Sequence, residues 1–276
     1  MRLTRIALHI LISVLLTILT QIGGFVYLLV LFLFNKYFHF FQSKRLKSLV
    51  FCLSFIFVYL FCTVVIVPPL ARLNGRVPMP YFETSHLRPL NSLTWILNRN
   101  YVRPALKESV IDIAEKMNAK FPNTTINYLD ANFPFVNGFP LIPHLSHCDG
   151  KKIDLSFCYI DNKTKLQTNN CPSFIGYGIC EEPMTNEKNT ADFCAGNGYF
   201  QYSFLKKIIP QTNKENYTFD LIRTKKLVEF CTSDQNIDKL FIEPHLKDRM
   251  KLSSDKIRFH GCRAVRHDDH IHIQIK

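Results

Sequence analysis

Two uncharged apolar runs near the start constrain this chain more than any other feature. From Ile6 to Phe34 there are 29 consecutive residues without a formal charge, and Leu49 to Val67 forms a second such run of 19. A bilayer core about 30 Å thick is crossed by about 20 helical residues, so either run is long enough to span it. A cleavable leader fits the first run poorly, because the apolar stretch is too long and no small-x-small cleavage pattern follows it. Residues 1–70 are therefore expected to form a two-helix transmembrane hairpin, with spans at about 6–34 and 49–67.

Charge supports the same reading. Residues 1–70 hold Arg2, Arg5, Lys36, Lys44, Arg45 and Lys47 and no acidic side chain, which is half of the net +12. A basic chain can signal nucleic acid, but here half the excess lies beside apolar runs and no interleaved aromatic motif accompanies the rest. Membrane lipid is the expected partner, and nucleic acid is not. Two spans place both termini on one side. The segment between them carries Lys36, Lys44, Arg45 and Lys47, against Arg2 and Arg5 before it and Arg72 and Arg76 after the second span. The positive-inside rule then assigns the connecting loop to the cytoplasm and residues beyond 70 to the extracytoplasmic face of an inner or plasma membrane.

Seven of the nine cysteines lie beyond residue 70, with no Cys-x-x-Cys pair. Disulfides in an oxidising compartment are favoured over a structural zinc ribbon, and the odd number leaves at least one thiol unpaired within the chain. Pro68 and Pro69 are expected to end the second span. A proline-dotted linker follows at 71–105, and residues 106–276 form the exported domain. Within it, Val110, Ile113, Ala114, Met117 and Phe121 recur at helical spacing, so a helix is expected over Ser109–Lys120 with Ser109 as N-cap. Thr125–Leu129 and Lys152–Ile160 read as strands. Residues 161–218 are polar and read as a cysteine-containing, disulfide-tied insertion. Helices are expected over Phe219–Cys231 and Pro244–Lys251. In the final run, 270–276, His270, His272 and Gln274 alternate with Ile271, Ile273 and Ile275, the period of a strand. The order gives an α+β fold with a small, mainly antiparallel sheet and flanking helices.

Histidines and aspartates gather in two places. The first is His144, His147, Asp149 and Asp154; the second is His267, Asp268, Asp269, His270 and His272. Strand alternation puts His270 and His272 on one face, roughly 6–7 Å apart. Two imidazoles can then serve one small site, one on a metal and one beside it. Zinc that must keep a position open for water takes three protein ligands of the histidine and carboxylate kind.

The run Ser146-His147-x-x-Gly150-x-x-x-Asp154, with His267-Asp-x-His270-x-His272 far downstream, resembles the LAS group of zinc peptidases. Within that group it is most similar to the penicillin-insensitive murein endopeptidases. The resemblance covers roughly 120–276 and rests on about nine positions. It implies a LAS/hedgehog-like metallopeptidase fold with zinc bound by His147, Asp154 and His272. His270 would stand beside the metal water as base or transition-state stabiliser, supported by His267, and Gly150 would turn the backbone between the first two ligands. Asp268 or Asp149 would fix a histidine tautomer. His144, Asp149 and Cys148 are additional candidates near the metal, and a Cys148–Cys262 disulfide is one option. The implied activity is hydrolysis of amide bonds in peptidoglycan or another peptide substrate. The alternative is a non-catalytic, zinc-stabilised extracytoplasmic binding module.

Overall fold

The computed structural model describes residues 2–37, 43–82 and 86–276. The first apolar run is not one helix. It breaks between α1 (Arg2–Thr20) and α2 (Gly23–Tyr37), with Gln21 in the left-handed region at φ 65°. Thr20 Oγ1 accepts from the Gly23 amide at 2.7 Å, which satisfies one of the free donors opening α2. The two helices fold back on each other, with Ser13 Oγ donating to Gly24 O and His9 Nδ1 2.6 Å from the Tyr27 hydroxyl. A Cβ at Gly24 would overlap Ser13 O and Thr17 Oγ1, so this close approach requires glycine.

The second run, α3 (Lys44–Phe61), does not stop at Pro68–Pro69. It passes through a π-helical turn at Cys62–Ile66 into α4 (Val67–Leu73). The prolines fall in the first turn of α4, where their missing amide hydrogens cost little, and the π turn re-routes the preceding carbonyls. Leu3–Thr20 and Lys44–Leu73 are long and apolar enough to cross a membrane; Gly23–Tyr37 is shorter. Tyr27 sets its ring edge against Phe51 and Phe55, and Phe34 packs on Phe51. The α1–α2 turn meets the rest of the chain, where Gln21 Oε1 accepts from the Phe135 amide at 2.8 Å.

The described residues of the 71–105 segment pair and pack with the rest of the fold rather than forming a linker. β1 (Val77–Pro78) pairs with β3 (Tyr101–Val102), and between them lie β2 (Leu87–Pro89) and α5 (Ser92–Ile96). Helix α6 (Pro104–Lys120) begins five residues before the position expected from its apolar repeat, because Pro104 supplies a ready φ at its first turn. Ser109 is not its cap. It is buried within the helix, and its hydroxyl donates to Asp234 Oδ1. There follow β4 (Ile126–Tyr128), β5 (Lys152–Ser156), β6 (Tyr159–Asp161), β7 (Gln167–Thr168), α7 (Thr190–Gly196) and α8 (Phe204–Ile208). The chain ends with β8 (Tyr217–Phe219), α9 (Leu221–Ser233), β9 (Ile237–Phe241), α10 (Pro244–Arg249), β10 (Ile257–Arg258) and β11 (His270–Ile275).

Six strands form the main sheet in the order β10-β9-β11-β5-β4-β2. Its four middle strands are antiparallel, and the edge strands β10 and β2 are added in parallel. A separate small sheet, β7-β6-β8, splits the strand expected over Lys152–Ile160 into two. One face of the main sheet is apolar: Ile153, Leu155, Leu240, Ile271 and Ile273 pack with Val110, Ile113 and Met117 of α6 and Leu227, Val228 and Cys231 of α9. Strand alternation sends the intervening residues to the opposite face, and β11 pairs with β5 so that His272 lies directly across from Asp154.

A candidate metal centre beneath the insertion

Register decides the site. Residues opposite each other in an antiparallel pair have Cβ atoms about 5 Å apart on the same face. A slip of one residue would send His272 into the apolar core and an isoleucine to Asp154. His147 comes to the same point from the loop before β5. That loop turns at Gly150, whose φ of 82° and whose contact with the Arg76 and Arg103 side chains disfavour any side chain. Arg76, fully buried, fastens the loop by donating to Phe133 O, Asn137 Oδ1 and Cys148 O.

The result is a set of facing donor atoms. His147 Nε2 lies 3.2 Å from Asp154 Oδ1 and 3.0 Å from His272 Nδ1, and His272 Nδ1 lies 2.9 Å from the same carboxylate oxygen. The other nitrogen of His147 is 2.7 Å from Ala131 O. A carbonyl can only accept, so the His147 proton belongs on Nδ1 and its Nε2 presents a lone pair. Asp154 Oδ1 is buried and has no hydrogen-bond partner among the described residues, although two ring nitrogens stand near it. Lone pairs converging in a dry site need a cation between them. Two ligands on a tetrahedral zinc at 2.0–2.1 Å stand about 3.3 Å apart, close to the spacings seen here. The donor set thus fits a metal ion.

A buried group of His144, His147 and Asp154 also satisfies the spacing of a metal site. It shares two members with the set above, and His144 takes the other side of the carboxylate. His144 Nδ1 lies 2.6 Å from Asp154 Oδ2, and the Tyr177 hydroxyl donates to that same oxygen at 2.8 Å. Oδ2 is therefore saturated while Oδ1 is free. Burial raises the Asp154 pKa, but His147, His270 and His144 outweigh it and hold the carboxyl well below its usual range. Burial, with His147 and His260 nearby, brings His272 down to about 3, so it is a neutral imidazole as a metal ligand must be.

His270 stands beside this group with its Nε2 3.7 Å from Asp154 Oδ2 and without a hydrogen-bond partner among the described residues. Its Nδ1 contacts Asp269 Oδ1, while Asp269 Oδ2 accepts from the Gly178 amide at 2.6 Å. Burial pulls His270 down, but Asp154 and Asp269 overcome it and raise the pKa to about 9. Asp269, and neither Asp268 nor Asp149, is thus the carboxylate that orients a histidine. Asp268 is spent on Arg266, and Asp149 on Lys152 and the Lys151 amide. His267 is buried, and burial with its neighbours His270 and His272 depresses its pKa strongly. His260 was not singled out by spacing. Its ring stacks on Phe241 at 4.3 Å and lies 5.1 Å from the His267 ring, a tertiary contact that no local pattern announces.

Over the group lies a cleft of about 540 Å³, lined on one side by Pro143, Leu145 and Ser146 and on the other by Phe200, Phe204 and Leu205. The second wall belongs to the polar insertion, which therefore builds the site rather than merely decorating it. Tyr177 comes from the same insertion, and Tyr202 donates to Glu243 Oε1 at 2.5 Å. One disulfide is present among the described residues, Cys194–Cys262, and it ties this wall to the loop leading to His267. Cys148 is a free, half-buried thiol and not the partner of Cys262, while Cys158, Cys171, Cys180 and Cys231 are also free. Closing a loop across 68 residues stabilises by about 4 kcal/mol in the chain-entropy description. Reduction, or the Cys194→Ala/Cys262→Ala double substitution, is expected to lower unfolding free energy by up to that amount. Denaturant titration of the oxidised and reduced chain measures it, and an unchanged midpoint would contradict it.

No protein-family model matches this chain, and no curated protein matches it significantly.

Proposed function

We propose that the chain is a membrane-anchored zinc peptidase that hydrolyses amide bonds in peptidoglycan peptides. The observation carrying this reading is the convergence of His147 Nε2, Asp154 Oδ1 and His272 Nδ1 within 2.9 to 3.2 Å of one another, with His147 and His272 lining a cleft and Asp154 buried behind them. These three residues would hold the ion. The chemistry zinc supplies in such a setting is polarisation of a carbonyl and acidification of water toward a pKa of about 7. The chain's own groups do the rest. His270, oriented through Nδ1 by Asp269, presents Nε2 to take a proton from the attacking water and return it to the leaving amine. With Asp154 engaged by a metal, its pull on His270 weakens, which moves that imidazole toward the range where it can accept a proton at neutral pH. The apolar walls exclude water and strengthen the electrostatics inside.

The helices favour an exported domain. Arg2 and Arg5 open α1, Lys36 is in the last turn of α2, and Lys44, Arg45 and Lys47 open α3, so all six basic residues gather at the helix ends away from the Gln21 turn. The positive-inside rule puts that end, with the start of the chain, in the cytoplasm and the domain outside, so the break at Gln21 sets the two termini on opposite sides rather than on one. A non-catalytic binding module would need a fourth protein ligand to close the metal; His144 Nδ1 is engaged with Asp154 Oδ2, so its unpartnered Nε2 is the nitrogen that would have to supply it. The test is the purified full chain on isolated peptidoglycan. Near-stoichiometric zinc and release of peptide fragments, both abolished by chelation and restored by zinc, are expected. Bound zinc without cleavage of any wall type would remove the peptidase reading and leave the binding module.

A further inference from the structure

The loop that carries His144 and His147 has no formal charge from Ala131 to Cys148, in a chain of net charge +12. It is not folded away. Val136 and Ile142 are each 55% exposed and Leu145 is 62% exposed, although they lie beside a candidate catalytic centre. The same loop touches the membrane helices. Phe135 donates its amide to Gln21 at the α1–α2 turn, and its ring joins Ile22, Val67, Ala71 and Tyr101 in one apolar cluster. Ile22 marks the point where the apolar hairpin turns, so Phe135 sits against the turn at the end of the hairpin. A second contact lies on α5, where Ile96 packs among Val26, Val30 and Tyr59, and Ile96 O accepts from the Tyr59 hydroxyl at 2.6 Å. Beside it Trp95, Tyr81 and Phe82 form an aromatic group in which Phe82 is 88% exposed. Aromatic rings of this kind concentrate at membrane–water interfaces.

We propose that residues 135–145 lie in the lipid interface of the bilayer that α1–α4 enter, an inference that rests on the membrane reading above. The occupant of this apolar surface is lipid, because the loop joins the helices through one apolar cluster, Phe135 with Ile22, Val67 and Ala71. An uncharged loop with exposed Val136, Ile142 and Leu145 gives up far less by leaving bulk water than a charged one would. Pro143, Leu145 and Ser146 also form one wall of the cleft, so the mouth of the cleft opens at the lipid surface, where a membrane-tethered peptide reaches it.

Trp95 is the single tryptophan of the chain, which makes the test direct. In a Trp95→Phe background, Leu145→Trp and, separately, Ile142→Trp place the probe on the loop, and Phe57→Trp places it on the exposed side of α3. Each full-length variant is put into nanodiscs of phosphatidylcholine and phosphatidylglycerol, with bromine absent, shallow or deep in the acyl chains. The expected result is loss of Leu145→Trp and Ile142→Trp emission with shallow bromines, more than with deep ones, while Phe57→Trp is quenched from within the core. Quenching of Phe57→Trp alone would overturn the placement of the loop and leave the membrane reading standing. Absence of quenching in all three would overturn both. None of these readouts depends on turnover.

Discussion

Full-length His272→Ala is expected to fold but to lose the zinc proposed for the site. The substitution removes one of three donor atoms that converge on a single point, leaving His147 Nε2 and Asp154 Oδ1 facing each other across a gap. Two ligands hold zinc far less tightly than three, so the dissociation constant should rise by more than the about 10- to 100-fold that follows loss of an outer-sphere partner. Peptide release should disappear at the zinc concentration that saturates the parent chain. Competition with a chromophoric chelator gives the affinity, and circular dichroism shows whether the sheet survives. A variant that keeps its zinc at parental affinity would remove His272 from the ligand set and return attention to His144, His147 and Asp154.

The second large effect is expected at His270, and it has the opposite signature. His270→Ala should bind zinc as the parent does, since Nε2 is 3.7 Å from Asp154 Oδ2 and lies outside the converging donors. Its kcat should fall by about 10²- to 10⁴-fold, the usual worth of a positioned acid–base group. Asp269→Asn should produce a smaller loss of kcat, because the imidazole remains but the carboxylate that fixes its Nδ1 proton is gone. Loss of metal on His270→Ala, or unchanged kcat, would contradict the role assigned here.

Much of the site was legible because it follows from one local rule. The alternation of histidine and isoleucine in 270–276 put His270 and His272 on one face, and the structure has Ile271 and Ile273 fully buried on the other. Asp269 escaped that rule because it sits in a bend just before β11, outside the two-residue period, and so can turn back onto His270. The break in the first apolar run was hidden because Gln21 and Ile22 interrupt neither the length nor the neutrality of the segment. Strand β9 was missed because half-exposed Asp238 and Lys239 sit side by side and break any alternation: Leu240 lies beside Ile273 in the core, while Phe241 lies beside His272 at the site. The partner of Cys262 and the cleft wall from Phe200 to Leu205 depend on how a polar insertion folds back, and sequence spacing carries no trace of that.

The pairing of β11 with β5 also bears on how the chain reaches its native state. His147 and His272 are 125 residues apart in sequence, and the two strands meet in the middle of the sheet rather than at its edge. Contacts of such separation form late, after many shorter loops have closed. An intermediate with α6, β4 and β5 already assembled would leave the β11-facing edge of β5 unpaired and hold two of the three proposed metal ligands. Captured zinc would then report on the docking of the last central strand, and time-resolved metal uptake during refolding would trace the closure of the sheet itself.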